Sequence, residues 1–323
     1  MNHSLKYPLR FHPVFRQTIW GGRRLETVLN KPIGKGDDFA ESWEVVDHGD
    51  DQSVVSHGDL AGQTLNSLVR QFKTDLFGPK PPATDQFPLL LKLLDCNRDL
   101  SIQVHPNDDQ ARQLVPPDLG KTEAWYIIDR EPESCLYLGL RSECTSEHFR
   151  AAIEAGTLEQ WLNKLYPSPG DAVLIPAGTV HALGKGLLVA EIQQSSDTTY
   201  RLFDWNRVGS DGKPRPIHVQ EGLAVIEWQA APQLIRLDDG QRLSCDKFIL
   251  QKRLIRGAAK LELEQSFRIV LVVEGELQLA GDPAGPLRSG QAALLPACLH
   301  SVEVNADEAM ILEMFDLSWQ HFV

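Results

Sequence analysis

The segment that most constrains the fold of this chain is residues 170–181, in which an apolar run is followed by a tight turn and then by a histidine. Ala172–Ile175 has the composition of a buried strand, and Pro176 and Gly178 favour a turn that few other residue types can make. A histidine that binds a metal needs rigid support of this kind, because its ring must be held in one orientation. The segment therefore predicts a strand and a turn that deliver His181 to a site.

Short strand-like runs, separated by Gly, Pro, Asn and Asp, recur along most of the chain. This spacing is typical of β-sandwiches and β-barrels. Apolar residues at helical spacing occur at 64–77 and at 146–165, where Gly156 is expected to divide the helix, and residues 217–226 are compatible with a third helix. The sequence therefore predicts a mainly β fold with a few helices.

A shortened copy of the first segment occurs near the end of the chain. Gly290–His300 repeats the order of glycine, apolar run, proline and histidine, with one residue fewer between the proline and the histidine. An internal repeat indicates two similar barrels, and we expect a metal-binding domain at residues 1–230 and a degenerate barrel at residues 231–323. His300 has no evident partner ligands, so a structural or surface role is favoured over metal binding.

Two segments upstream of His181 carry further donor atoms. Alternate residues of a strand share a face, so each segment presents a set of polar side chains together. These are Ser101, Gln103 and His105 in the first segment, and Lys121 and Glu123 in the second. A single strand histidine or glutamate is more often an ordinary core or surface residue, but the whole group favours a metal site. The candidate ligands are Gln103, His105, Glu123 and His181, whose nitrogen and oxygen donors suit Zn²⁺, iron or manganese.

Two cations accompany this group. Arg201 lies on the second of two strands that follow His181, and Lys92 interrupts an otherwise apolar strand. Taken alone, Arg201 would be a surface strand residue and Lys92 a side chain that extends its ammonium to water. Beside a metal group, an arginine becomes a clamp for an anion, and a buried lysine facing an anionic ligand is as well supported as the alternative.

Composition limits the classes of partner. The chain has 323 residues, of which 42% are hydrophobic and 24% charged, with a formal net charge of −12. This charge argues against an extended basic face for nucleic acid, but not against a small anionic substrate. The five cysteines are scattered and include no C-x-x-C pair, as expected of reduced thiols. We find no leader-like apolar segment and no apolar run of about 18 residues, so a soluble cytoplasmic protein without membrane contact is expected.

The residues quoted so far belong to longer stretches that resemble one family. The stretches are FRQTIWGGRR (15–24), ESWEVVD (41–47), FPLLLKLLDCNRDLSIQVHPND (87–108), Gly120–Tyr126, Gly170–Gly186 and Glu191–Arg207. Together they resemble the type I phosphomannose isomerases in their short bacterial form. The resemblance implies tandem cupin (jelly-roll-like) barrels, one Zn²⁺ per chain, and an aldose–ketose isomerase that interconverts mannose 6-phosphate and fructose 6-phosphate. The implied partner is a sugar phosphate, and the chain would be a monomer or a small homo-oligomer.

The resemblance also implies roles for individual residues. The family's zinc ligands fall on His105, Glu123 and His181, and the glutamine ligand of some members falls on Gln103. Its active-site arginine falls on Arg201, its pocket serine on Ser101, and its pocket lysines on Lys92 and Lys121. Arg207 stands where longer relatives carry a lysine suggested to contact phosphate.

An aldose–ketose isomerase must move a proton between two carbons through an enediolate. Arg201 stays protonated, so we expect it to stabilise the enediolate rather than act as the base. Glu191 is the candidate base, with metal-bound water as its competitor, and Lys121 belongs with Arg201 and Glu191 in the catalytic group. Ser101, Lys92 and Arg207 are expected to bind substrate. The alternatives are a metal-dependent cupin oxygenase and a cupin that binds a sugar phosphate without catalysis.

Overall fold

A computed structural model describes residues 5–209 and 212–316 of the chain, and strands account for most of their regular structure. The mainly β fold is therefore confirmed. The strands, in chain order, are β1 (Phe11–His12), β2 (Val14–Gly22), β3 (Phe39–Val45), β4 (Asp47–His48), β5 (Asp51–Gln52), β6 (Val54–Val55), β7 (Leu89–Cys96), β8 (Ile102–Val104), β9 (Glu123–Arg130), β10 (Leu136–Leu140), β11 (Leu162–Leu165), β12 (Asp171–Ile175), β13 (His181–Leu183), β14 (Leu187–Gln194), β15 (Tyr200–Phe203), β16 (Ile235–Arg236), β17 (Arg242–Ser244), β18 (Ile249–Glu262), β19 (Arg268–Leu279), β20 (Leu287–Arg288), β21 (Ala292–Leu295) and β22 (Ser301–Phe315).

The helices are short and lie at the edges of the sheets. They are α1 (Arg24–Thr27), α2 (Leu65–Gln71), α3 (Lys73–Phe77), α4 (Asp108–Ala111), α5 (Ser146–Ala155) and α6 (Val219–Val225), with single 3₁₀ turns at Leu158–Trp161 and Ala297–Leu299. The helix predicted at 64–77 is therefore two helices, and Thr64 caps the first by accepting a hydrogen bond from the Ser67 amide. Within the described residues, no helix is long and apolar enough to cross a membrane.

One part of the helix predicted at 146–165 is wrong. Gly156 ends α5 in the left-handed conformation with φ of 68°, as the sequence suggested, but Leu162–Leu165 is a strand paired with β10. Four residues with an apolar residue at each end are compatible with both the helical and the strand period. Pairing with β10 therefore decides their conformation.

Two facing sheets form what we call the first barrel. One sheet has seven strands in the order β16-β12-β9-β14-β7-β3-β2, and the other has five in the order β11-β10-β13-β8-β15. Successive side chains of a strand point to opposite faces, so each strand of the seven-stranded sheet serves two environments. Trp125 and Glu191 point into the barrel, whereas their neighbours Tyr126 and Ile192 pack in the core on the other face.

Strands β17–β22 form the C-terminal barrel, whose sheet packs against the outer face of the seven-stranded sheet. Strand β1 pairs with β6 and β4 with β5 in two small separate sheets. Leu91 and Leu93 of β7 share one apolar core with Ile269 and Leu271 of β19. The N-terminal segment also reaches the C-terminal barrel, where the backbone of Leu9 pairs with that of Leu294 in β21. Burying this shared face holds the seven-stranded sheet in place while its other face carries polar groups.

Candidate active site

Three buried side chains from the two sheets of the first barrel meet at one point. Glu123 begins β9 in the seven-stranded sheet, His181 begins β13 in the five-stranded sheet, and His105 directly follows β8 of that sheet. Glu123 Oε1 lies 3.2 Å from His181 Nε2, and Glu123 Oε2 lies 3.6 Å from His105 Nε2. One ligand atom from each residue can be chosen so that all lie within 4.8 Å of one another. This spacing allows one ion to contact all three.

Backbone carbonyls fix the orientation of both histidine rings. His105 Nδ1 donates to the Thr198 carbonyl at 3.0 Å, and His181 Nδ1 donates to the Thr179 carbonyl at 2.8 Å. Because a carbonyl only accepts, each Nδ1 carries the proton and each Nε2 presents a lone pair to the cluster. Burial, and then the Lys121 ammonium, lowers the pKa of His105 well below its ordinary value, so its ring is neutral. A neutral imidazole is the form that binds a metal.

Three of the atoms that could bind a metal in this cluster lack a hydrogen-bond partner. His105 Nε2 and both Glu123 oxygens are buried without a hydrogen bond in the described structure. Burial raises the pKa of Glu123, but its surroundings, above all the Lys121 ammonium, lower the pKa by more, so the group is a carboxylate. Buried carboxylate oxygens without donors are costly unless a cation satisfies them. The residues therefore fit a divalent metal ion.

Gln103 adds a fourth potential donor. It pairs with His181 across the β8–β13 ladder, and its Nε2 lies 3.3 Å from His181 Nε2. Rotating the amide by half a turn exchanges its nitrogen and oxygen, which brings the oxygen to the cluster. A set of two nitrogens and two oxygens then results, which is a donor set that Zn²⁺ accepts.

A row of interior side chains crosses four strands of the seven-stranded sheet beside this cluster. Glu191 of β14 is directly opposite Trp125 of β9 and Lys92 of β7. Trp125 Nε1 donates to Glu191 Oε2 at 2.7 Å, and Lys92 Nζ lies 3.7 Å from Glu191 Oε1. On the other side, Trp43 Nε1 donates to Glu41 at 2.6 Å, and Lys92 Nζ lies 3.7 Å from that carboxylate. The Lys92 ammonium thus lies between two carboxylates, each held by an indole.

This environment changes the protonation of the row. Burial raises the pKa of Glu191, and the Glu123 carboxylate raises it further, against the smaller effect of Lys92. Burial alone would lower the pKa of Lys92, but Glu41 and Glu191 raise it above its ordinary value. Lys92 therefore remains charged, while Glu191 holds a proton to a higher pH than a solvated glutamate.

The row and the metal cluster open onto a cavity of about 340 Å³, large enough for a small polar ligand. Arg201 of β15 closes one side, where its guanidinium donates to the Pro216 carbonyl at 2.8 Å. The charged and polar side chains that line the cavity include Glu41, Lys92, Ser101, Gln103, Lys121, Glu191, Asp197, Arg201, Arg215 and His218. Four of these side chains are cations, which give the cavity groups that can hold an anionic ligand although carboxylates line it too.

Comparison with known proteins identifies the family of this site. The profile "Phosphomannose isomerase type I, catalytic domain" matches residues 9–138. Mannose-6-phosphate isomerase ManA of Bacillus subtilis is 38% identical over 302 residues, which cover 90% of this chain and 93% of the relative. The chain belongs to the type I phosphomannose isomerase family. The mannose-6-phosphate isomerase of Streptococcus mutans is 32% identical over 94% of this chain and 97% of the relative.

Solved structures agree with this phosphomannose isomerase assignment. The crystal structure of the mannose 6-phosphate isomerase from Bacillus subtilis superposes with a TM-score of 0.85 and 33% identity, covering 95% of this chain and 99% of the other. A single-site variant of phosphomannose isomerase from Salmonella typhimurium shares the fold with a TM-score of 0.74, at 16% identity over 96% of this chain and 99% of the other. The tandem cupin architecture expected from the sequence is therefore confirmed.

Most of the site residues expected from the sequence meet in this phosphomannose isomerase cavity. Those that line it are Lys92, Ser101, Gln103, Lys121, Glu191 and Arg201, and the cluster of His105, Glu123 and His181 adjoins Gln103.

Arg207 is placed differently: its Nη1 donates to the Asp99 carbonyl at 2.6 Å and its Nη2 to Asp204 at 2.6 Å, and it is absent from the described cavity lining. Arg215 lies at the cavity instead and holds the same Asp204 through two hydrogen bonds of 2.8 and 2.6 Å.

Glu41, Arg215 and His218 are cavity residues that were not predicted from the sequence. Glu41 had a usable signal, since it alternates with Trp43 along a predicted family stretch, as Glu123 alternates with Trp125. Arg215 and His218 lie in a connecting segment before α6 that has no periodicity, so no local pattern identifies them.

Proposed function

We propose that this protein is a zinc-dependent isomerase that interconverts D-mannose 6-phosphate and D-fructose 6-phosphate. The observation that carries the proposal is the buried His105–Glu123–His181 cluster beside a cavity with an indole-held glutamate. The relatives bear the name mannose-6-phosphate isomerase, which supports this substrate.

His105, Glu123 and His181 would hold the metal, with Gln103 as a fourth ligand. Bound Zn²⁺ would supply a Lewis acid for the oxygens of the sugar without redox chemistry. The two histidines are held in the tautomer that a metal requires by the Thr198 and Thr179 carbonyls. This arrangement needs little reorganisation on metal binding.

Glu191 is the proposed base for the proton transfer. It takes the proton from C2 of the open-chain aldose as the C1–C2 double bond forms and negative charge develops on O1. It returns this proton to C1 as the C2 carbonyl forms, while the proton of the C2 hydroxyl passes to O1. Its raised pKa suits both directions, and the Trp125 indole holds one carboxylate oxygen still. Lys121 and Arg201 lie on other sides of the cavity and stabilise the negative charge of the enediolate.

The phosphate group is assigned to the polar end of the cavity. Ser101 offers a hydroxyl and Arg215 offers a guanidinium group, which binds phosphate well. Arg207, expected from the resemblance to meet the phosphate, is proposed to act through Asp204, which it shares with Arg215. Lys92, whose ammonium lies between Glu41 and Glu191, is proposed to bind the sugar. Holding the remote phosphate positions the reacting carbons.

A coupled assay of mannose 6-phosphate isomerisation tests this function. Activity should disappear on treatment with a chelator and return with Zn²⁺. Oxygen uptake with Fe²⁺ in the absence of isomerisation would instead support the oxygenase alternative. Binding of the sugar phosphate to the zinc-loaded protein without turnover would support a non-catalytic binding protein.

The cytoplasmic location and the monomeric or small homo-oligomeric state stay predictions. Subcellular fractionation and light scattering of the purified protein are the measurements that address them.

A further inference from the structure

The two histidines of the metal cluster are supported in different ways. His181 bonds the Thr179 carbonyl, two residues earlier, in the turn that Pro176 begins. His105 bonds the Thr198 carbonyl, which is 93 residues away in the chain. Thr198 lies in residues 195–199, which join β14 to β15 without regular secondary structure. The orientation of His105 therefore depends on how this connecting segment is held.

Asp118 holds that segment. Its Oδ2 accepts hydrogen bonds from Ser196 Oγ at 2.9 Å and from Thr198 Oγ1 at 2.6 Å. Its Oδ1 accepts from the Leu119 amide at 2.8 Å and from His48 Nε2 at 3.2 Å. Burial opposes ionisation, but the bonds from His48, Thr198 and Ser196 hold the pKa of Asp118 well below its usual range. The group is therefore a carboxylate that can accept all four bonds.

The Thr198 residue links the carboxylate to the metal cluster. Its side-chain hydroxyl bonds Asp118 and its main-chain carbonyl bonds His105, so the first bond determines where the second acceptor lies. Asp197 and Thr199, on either side of it, line the substrate cavity. One carboxylate thus organises both a metal ligand and a wall of the cavity.

We infer that Asp118 is a positioning residue, which fixes the 195–199 segment so that the Thr198 carbonyl holds His105 in its metal-binding tautomer. The inference rests on the proposed function, because it assumes that His105 binds a metal. It assigns no contact between Asp118 and the substrate. Partners outside the ligands of a metal site affect its affinity because they orient the ligands.

The test measures Zn²⁺ affinity of the full chain by competition with a chromophoric chelator, for the wild type, Asp118→Ala and Thr198→Val. Asp118→Ala should weaken Zn²⁺ binding by about 10- to 100-fold, the range found for partners of metal ligands. Thr198→Val removes one bond and keeps the carbonyl, so it should weaken binding in the same direction by less. Nitrogen-15 NMR of the metal-free protein should show a single His105 tautomer in the wild type and a mixture in Asp118→Ala.

Asp282→Asn is the matched control. Asp282 of the C-terminal barrel likewise holds several donors: its carboxylate accepts hydrogen bonds from Arg10 at 3.0 Å and from the Ala284 amide at 2.9 Å. Its replacement should lower the melting temperature and leave Zn²⁺ affinity and the His105 tautomer unchanged.

Zn²⁺ affinities of Asp118→Ala and Thr198→Val equal to that of the wild type, with one His105 tautomer throughout, would overturn the inference. If Asp118→Ala does not fold, Thr198→Val decides the question by itself. Failure of the proposed function gives a different result, since the zinc-loaded wild type would then lack isomerase activity while the affinity differences persist.

Discussion

The first and C-terminal barrels use related segments with opposite outcomes. In the first barrel, Gly170–His181 turns through Pro176, and His181 enters the interior with 1% of its surface exposed. In the C-terminal barrel, Gly290–His300 has one residue fewer, a 3₁₀ turn replaces the looser one, and His300 is exposed with φ of 58°. One residue of loop length thus separates a candidate metal ligand from a surface side chain.

The interiors of the two barrels differ in the same sense. The first barrel encloses Lys92, Glu123 and Glu191 beside a cavity, whereas the C-terminal barrel encloses one ion pair, Arg268 with Glu313, and an apolar cluster that includes Val270, Val272 and Ile311. Enclosed charges cost stability unless they are paired, and enclosed apolar groups add to it. Because the two barrels share a core, the apolar barrel can support the polar one. The first barrel therefore carries the binding groups, and the C-terminal barrel contributes mainly stability.

The largest effect expected from this comparison separates the two repeated histidines. His181→Ala removes a ligand from the cluster, so isomerase activity should fall to background and Zn²⁺ affinity should drop by orders of magnitude. His300→Ala alters an exposed side chain and should change neither activity nor stability measurably. Activity assays and metal titration of both variants check this, and equal losses in the two would remove the distinction between the barrels.

Buried glutamates allow a second comparison. Glu191→Gln in the first barrel should lower kcat by about 10²- to 10⁴-fold, as expected on loss of a general base, with bound zinc retained. Because burial raises the pKa of Glu191, the wild-type activity should rise with pH above the range of an ordinary glutamate, and the variant should lose this rise. Full turnover by the variant would exclude Glu191 as the base.

Glu313 is the corresponding buried glutamate of the C-terminal barrel. It accepts a hydrogen bond from the buried Arg268 at 2.6 Å. Glu313→Gln leaves this guanidinium without its counter-charge, so the free energy of unfolding should fall by up to about 3–5 kcal/mol. Denaturant unfolding measures the loss, and kcat of the folded fraction should be unchanged. A kcat reduced as strongly as in Glu191→Gln would mean that the C-terminal barrel takes part in catalysis.

Arg215 tests the assignment of the phosphate end of the cavity. Arg215→Ala removes a charged hydrogen-bonding group, so KM for mannose 6-phosphate should rise by about 10- to 100-fold, equivalent to about 1.5–3 kcal/mol. Steady-state kinetics of Arg215→Ala and Arg207→Ala measure this. A rise confined to Arg207→Ala would return the phosphate contact to the residue expected from the sequence.

The smallest expected effect is a change of stability with pH, which arises from His48. Its hydrogen bond to Asp118 raises the pKa of His48 above 6.5, against the opposing effect of burial. The raised pKa contributes stability that is fully present below the unfolded value of 6.5 and lost as pH rises through the folded value. Thermal unfolding of His48→Gln across this window should show a smaller decline than the wild type, and an unaltered decline would contradict the assigned pair.

Local patterns identified much of the site because they act over a few residues. The strand expected at Ala172–Ile175 is found at Asp171–Ile175, and Gly178 has the positive φ of 87° that its turn requires. Alternation along β8 and β9 predicted which of their side chains share a face. Such features follow from backbone sterics and side-chain periodicity, which a sequence displays directly.

Other parts of the site depend on contacts between distant segments. Arg207 and Arg215 both bond Asp204. Arg215 is the one that reaches the cavity, because the segment before α6 returns over β15, where His218 bonds Arg201. Asp118 is joined to Thr198 across 80 residues, with no periodic signal to relate them.

Local sequence patterns were enough to predict the strand, the turn and the buried histidine of segment 170–181. Only the packing of distant segments placed Arg215 rather than Arg207 at the cavity and set Glu41 and Glu191 beside Lys92. These two kinds of feature differ in how far along the chain their causes act. Steric preferences act between neighbouring residues, whereas burial and charge pairing depend on every segment that packs around a site.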